Sequence, residues 1–104
     1  MPENQFAYTL KLRPDLLDEQ NWTQQDETIV NDHFLRLQQD TVVKKVILAG
    51  RTLTSTPEGF GIVIFEADSE QTAREYMELD PAVKAGIMNA VLFPFRVALK
   101  RIDE

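Results

Sequence analysis

At 104 residues, with no linker-like run, the chain has room for one core and is expected to form a single domain over residues 1–104, which excludes a two-domain enzyme. Its 43% hydrophobic content is ordinary, no apolar run approaches the roughly 20 residues that cross a bilayer, and the start, Met-Pro-Glu-Asn-Gln, lacks the basic-then-apolar pattern of an export signal; a soluble cytoplasmic protein with no membrane partner is expected. Zero cysteines exclude disulfides, thiolate catalysis and cysteine metal sites, and a formal net charge of −6 opposes phosphate backbones, so nucleic acid is not an expected partner.

Phe6, Tyr8, Leu10 and Leu12 alternate with Ala7, Thr9 and Lys11, a period of two that predicts a strand β1 over about residues 5–13, ended by Pro14. The loop 14–22 follows, and then Thr23 with Asp26 three places on resembles a capping box that opens a helix α1 running to about Thr41. Its apolar stripe is Ile29, Val30, His33, Phe34 and Leu37, with Asp26, Glu27, Asn31, Arg36 and Gln38 largely on the other side. Val46 to Ala49 (β2), closed by Gly50, and Phe60 to Ala67 (β3) flank a turn region at 54–59 and read as a hairpin. Asp68 or Ser69 caps a second helix, α2, whose stripe holds Ala73, Tyr76, Met77 and, one turn on, Asp80. Pro81 interrupts it and starts a short helix α3, with Asp80 as N-cap and Gly86 just past its end. Val91 to Leu99 supplies β4.

The order βαββαβ predicts an α+β, ferredoxin-like antiparallel sheet with two helices on one face. β3 is apolar on both sides, with Phe60, Ile62 and Ile64 pointing one way and Val63, Phe65 and Ala67 the other, and β2 and β4 follow suit. Two helices bury one of those faces. The second would leave an exposed patch of a few hundred Å2, whose burial at about 25 cal/mol per Å2 supplies on the order of 10 kcal/mol before association costs. A homodimer with sheets packed face to face is therefore expected, the alternative being that strand ends and the C-terminal tail fold over the face within a monomer.

His33 is the chain's one histidine, and it sits on an apolar helix stripe. Such a residue is either a structural histidine bonded to a carbonyl or carboxylate, or a general acid/base held near the working pH by burial and a neighbouring carboxylate. Asp80, on the apolar side of α2, is its best partner, although a cap role suffices to explain an Asp before Pro. The geometry is demanding. With α1 and α2 antiparallel, the end of α2 lies level with the start of α1, while His33 stands roughly 14 Å further in at 1.5 Å per residue. Arg51, at the end of β2, either anchors an anionic substrate or is a solvated strand-end charge, and Arg96 in β4 shares that ambiguity. One histidine without cysteines supports no metal, and nothing resembles a phosphate loop or dinucleotide fingerprint, so no cofactor is expected. Residues 58–65 approach the central RNA-recognition octapeptide, but Glu58 and Ile62 stand where a basic residue and an exposed aromatic are required.

The chain resembles the YciI-like (YCII-related) proteins in residues 32–37 of α1, in Ile47, Leu48, Ala49, Gly50, Arg51 and Thr52, in residues 61–68, in residues 80–86 and in Pro94, Phe95, Arg96 and Val97. The resemblance implies a dimeric α+β barrel of ferredoxin-like subunits, with a His and an Asp in a cleft as the active pair; these fall on His33 and Asp80. One branch of the family resembles a dehydrochlorinase acting on a hydroxylated aromatic ring. The expected function is a small cofactor-free lyase, isomerase or hydrolase for a cyclic or carbonyl small molecule, using His33 and Asp80 with Arg51 as anion anchor. The alternative is a noncatalytic dimeric domain that binds a small ligand.

Overall fold

The computed structural model describes residues 4–103. Residues 1–3 and 104, which hold the ends of the expected domain and most of the start read for an export pattern, lie outside the described residues. The element order is β1 (Gln5–Leu12), two short 3-10 turns (Pro14–Leu17 and Glu19–Asn21), α1 (Gln24–Val42), β2 (Val46–Arg51), β3 (Gly61–Glu66), α2 (Glu70–Glu78), α3 (Pro81–Lys84) and β4 (Met88–Pro94). The four strands form one antiparallel sheet in the order β2-β3-β1-β4, which is the expected ferredoxin-like arrangement.

The local signals act as their chemistry dictates. Thr23 and Asp26 close a reciprocal capping box at the start of α1, satisfying two N–H groups that the first turn leaves without partners. Ser69 caps α2 by accepting from the Thr72 N–H, and Asp80 caps α3 by accepting from the Ala82 N–H. Gly86 follows α3 with φ +78°, a conformation that costs a residue with a Cβ about 1 kcal/mol or more.

The core lies between sheet and helices. Phe6, Tyr8 and Leu10 of β1 and Val63 and Phe65 of β3 share the inner face with Leu37 of α1 and Ala73, Tyr76 and Met77 of α2. Aromatic contacts join them: Phe65 lies 4.8 Å from Tyr76, and 5.6 Å from Tyr8 in an edge-on arrangement. Cross-strand partners share a face, so Ala7, Thr9, Leu48, Ile62, Ile64, Val91 and Phe93 form the opposite one. There Leu48, Val91 and Phe93 are 48%, 54% and 47% exposed, and no helix covers them.

Three expectations are corrected. β4 starts at Met88 and ends at Pro94 rather than spanning 91–99: its ladder with β1 runs from Leu12↔Met88 to Phe6↔Pro94, and past it the N–H groups of Phe95 and Val97 donate to the Gln5 carbonyl and side-chain oxygen. Arg96 thus lies outside the strand. Phe34, expected on the buried stripe, is 59% exposed. Leu37 is the buried residue of α1, and Phe34, on the same side one turn earlier, is left uncovered. Arg36, expected on the outer side, reaches across to α2, where its Nη2 donates to the Tyr76 carbonyl at 2.8 Å and its guanidinium sits 3.9 Å from the Tyr76 ring centroid.

Candidate functional site

The inner face of the sheet, α1 and the junction between α2 and α3 converge on a buried carboxylate. Asp80 is wholly inaccessible, and each of its oxygens is engaged: Oδ1 lies 2.7 Å from His33 Nδ1 and accepts from the Ala82 N–H at 3.0 Å, while Oδ2 accepts from the Tyr8 hydroxyl at 2.8 Å. His33 and Asp80 meet because α2 is short. The end of α1 and the start of α2 border the same surface depression, lined by Val43, Lys44, Asp68 and Thr72. Nine residues of α2 rise about 13 Å, and His33 stands nine residues before Val42, at about the same height. Pro81 then turns the chain inward, and α3 packs against α1.

Burial by itself pushes the Asp80 carboxyl up, but the hydrogen bond and charge of His33, the Tyr8 hydroxyl and the Ala82 N–H outweigh it and hold the group below the ordinary carboxylate range. Asp80 is therefore ionised at neutral pH and accepts only. It follows that His33 Nδ1 carries the hydrogen in their contact, and that Nε2 presents a lone pair when the ring is neutral. The His33 side chain is 12% exposed. Among the described residues, no hydrogen bond reaches Nε2. The pair is chemically a base whose orientation and tautomer are fixed from behind. The Tyr8 phenol is pushed far above its ordinary range by burial, then by the Asp80 charge and their hydrogen bond, and serves only as a donor.

Tyr8 escapes sequence reasoning because it occupies one inward position of an apolar alternation. The signal was its hydroxyl: a phenol at an inward strand position needs a buried acceptor, and Asp80 lies on the apolar side of α2. A second tyrosine–carboxylate pair stands beside it, the Tyr76 hydroxyl donating to Asp40 Oδ2 at 2.6 Å; burial and then that hydrogen bond push the Tyr76 phenol up as well. Arg51 stays apart from these bonds. It pairs with Gly61, which pairs with Leu10, so it stands on the helix-side face at the sheet's end, exposed, its side chain making no hydrogen bond or ion pair among the described residues. The depression at the end of α1 includes neither His33 nor Asp80. Among the described residues, no group of three or more His, Cys, Asp or Glu side chains is placed to hold a metal ion, and no helix is long and apolar enough to cross a membrane.

Comparison with known proteins agrees with the fold. The 5-chloro-2-hydroxyhydroquinone dehydrochlorinase of Burkholderia phenoliruptrix, solved in complex with 2,5-dihydroxybenzoquinone, superposes with a TM-score of 0.65 at 22% identity, over 88% of this chain and 93% of that one. No curated protein matches the sequence significantly. The model of the YCII-related domain matches residues 5–96, nearly the whole described chain from the first strand to just beyond the last, and on that match the protein belongs to the YCII-related family.

Proposed function

We propose that the protein is a small enzyme that moves a proton on a cyclic or carbonyl compound, as a lyase, isomerase or hydrolase, with His33 as general acid/base and Asp80 as its orienting counter-charge. The observation that carries this reading is the asymmetry of the imidazole: Nδ1 is bound to a fully buried carboxylate, while no described hydrogen bond reaches Nε2 and the side chain stays 12% exposed. Nε2 takes a proton from a ring hydroxyl or from carbon next to a carbonyl, and the electron pair passes into the ring or onto the carbonyl oxygen. The imidazolium so formed is stabilised by Asp80. Returning the proton at another position completes an isomerisation, whereas departure of an anion from the adjacent carbon completes an elimination. Arg51, on the same face of the sheet as Tyr8, serves as anchor for an anionic ring substituent.

The structural neighbour's ligand is a ring of ionisable hydroxyls and carbonyls, the substrate class that suits such a base. The functional unit is a homodimer closed over the exposed outer face of the sheet, with Leu48, Val91 and Phe93 at the contact. The competing reading, a domain that binds a small ligand without turnover, draws on the small exposure of His33 and on the surface depression lying elsewhere.

The test is a screen of phenolic, quinone and lactone compounds against the wild-type protein and His33→Ala. Proton transfer by a positioned side chain is worth about 10²- to 10⁴-fold, so turnover of the responding compound drops by that factor. Equal turnover by both proteins would rule out His33 as the base, and binding without turnover would favour the noncatalytic domain.

A further inference from the structure

His33 reads its environment through one carboxylate, and that carboxylate is shared. Asp80 Oδ1 faces His33 Nδ1 and the Ala82 N–H, whereas Oδ2 has the Tyr8 hydroxyl at 2.8 Å. Tyr8 is fully buried in the central strand β1. Its ring is fixed edge-on against Phe65 and 6.4 Å from Tyr76, so the phenol is held where it stands. The other charged and titratable groups nearby are Arg36, Asp40, Lys45 and Tyr76, and they are engaged with one another: Arg36 with the Tyr76 carbonyl and ring, the Lys45 ammonium over that ring at 4.8 Å, and the Tyr76 hydroxyl with Asp40. No described hydrogen bond runs from them to Asp80.

We propose that Tyr8 is a positioning residue of this site: by donating to Oδ2 it fixes the plane of the Asp80 carboxylate and sets how much of its negative charge Oδ1 offers to His33. The inference rests on the reading of His33 and Asp80 as the working pair and adds a third member behind them. A donor on one carboxylate oxygen withdraws charge from both. Without it, Oδ1 becomes the stronger acceptor and draws the Nδ1 hydrogen closer. With a more acidic phenol, Oδ1 becomes weaker and lets that hydrogen back toward the ring. Tyr8 thereby tunes the base without touching a substrate.

Two features of the composition make this measurable. The chain has one histidine, so its ring signals are unambiguous, and two tyrosines, so a Tyr76→Phe chain grown on 3-fluorotyrosine carries the label at residue 8 alone. The readout is the Nδ1-bound proton and the ring 15N resonances of His33 at neutral pH. Tyr8→Phe is expected to move the Nδ1 proton downfield, and 3-fluorotyrosine at residue 8 to move it upfield relative to the unlabelled Tyr76→Phe chain. Tyr76→Phe removes a phenol–carboxylate bond of the same kind from the same core and is expected to leave the resonance in place. Opposite displacements support the inference, since general loosening of the core does not reverse its sign. No displacement in either protein, or an equal one in Tyr76→Phe, overturns it. Should Tyr8→Phe fail to fold, the fluorotyrosine arm decides alone. Absence of any hydrogen-bonded Nδ1 proton in the wild-type protein would instead sink the His33–Asp80 pair itself.

Discussion

Replacing Asp80 separates its structural work from its chemical work. Asp80→Ala removes the acceptor of three donors at once. A buried Tyr8 hydroxyl left without a partner costs about 1–3 kcal/mol, the bond to His33 about 1 kcal/mol and the α3 cap about 1 kcal/mol. The sum is on the order of 3–5 kcal/mol, a large share of the 5–15 kcal/mol that holds a typical domain together. At roughly 4 °C per kcal/mol for a chain of this length, Tm falls by roughly 15 °C.

Asp80→Asn behaves differently. Its amide oxygen, placed at Oδ1, still accepts from His33 and Ala82, and its NH2, placed at Oδ2, donates to a Tyr8 hydroxyl that has rotated to accept. That chain is expected within about 1 kcal/mol of wild type near pH 7, while turnover is lost because no counter-charge remains behind the imidazole. The wild-type carboxyl is held low in the folded state. Its contribution is therefore complete above the unfolded carboxyl pKa of about 3.9 and is lost as pH falls through the lower folded value, so the gap between wild type and Asp80→Asn closes below about pH 4. Urea unfolding of the three proteins at pH 7 and between pH 3 and 5 measures all of this. A loss below about 1 kcal/mol for Asp80→Ala, with an unchanged m value, would refute the assignment of Asp80 as the hub of these bonds.

Other perturbations test other parts of the structure. A Cβ on Gly59 would lie 2.2 Å from the Thr54 carbonyl oxygen, so Gly59→Ala must displace the β2–β3 loop backbone and is expected to destabilise by about 1–3 kcal/mol in thermal melts. Val91→Asp places a charge on the exposed outer sheet face, where a single chain tolerates it within about 0.5 kcal/mol but a face-to-face dimer does not. Light scattering at micromolar concentration should show the mass halving, and a monomeric wild type would end the dimer proposal. If Arg51 anchors an anion, Arg51→Ala raises KM for acidic ring compounds roughly 10- to 100-fold with kcat nearly unchanged, and an unchanged KM excludes that role.

Most of the fold is legible in the residues. Alternation in 6–12 and 60–67 places two strands and tells their faces apart, and Thr23 with Asp26, Ser69, and Asp80 with Pro81 mark helix starts with caps that the structure reproduces. These features depend on side chains a few positions apart, so local chemistry suffices. His33 and Asp80 were likewise visible as polar groups on apolar stripes, because a buried ionisable group must find a partner wherever the fold puts it.

What the tertiary structure alone decided are the features that require two distant segments. The length of α2 measured against α1 brings Asp80 to the height of His33. The register of β1 supplies Tyr8 as the second donor. The β1–β4 ladder ends where Pro94 meets Phe6, although the apolar alternation of the sequence continues past it. Phe34 and Arg36 exchange their expected environments because the rotation of a helix about its axis is set by what it packs against rather than by its own periodicity. A sequence states which groups need partners; only packing, where chain segments compete for the same buried volume, decides which partner each one receives.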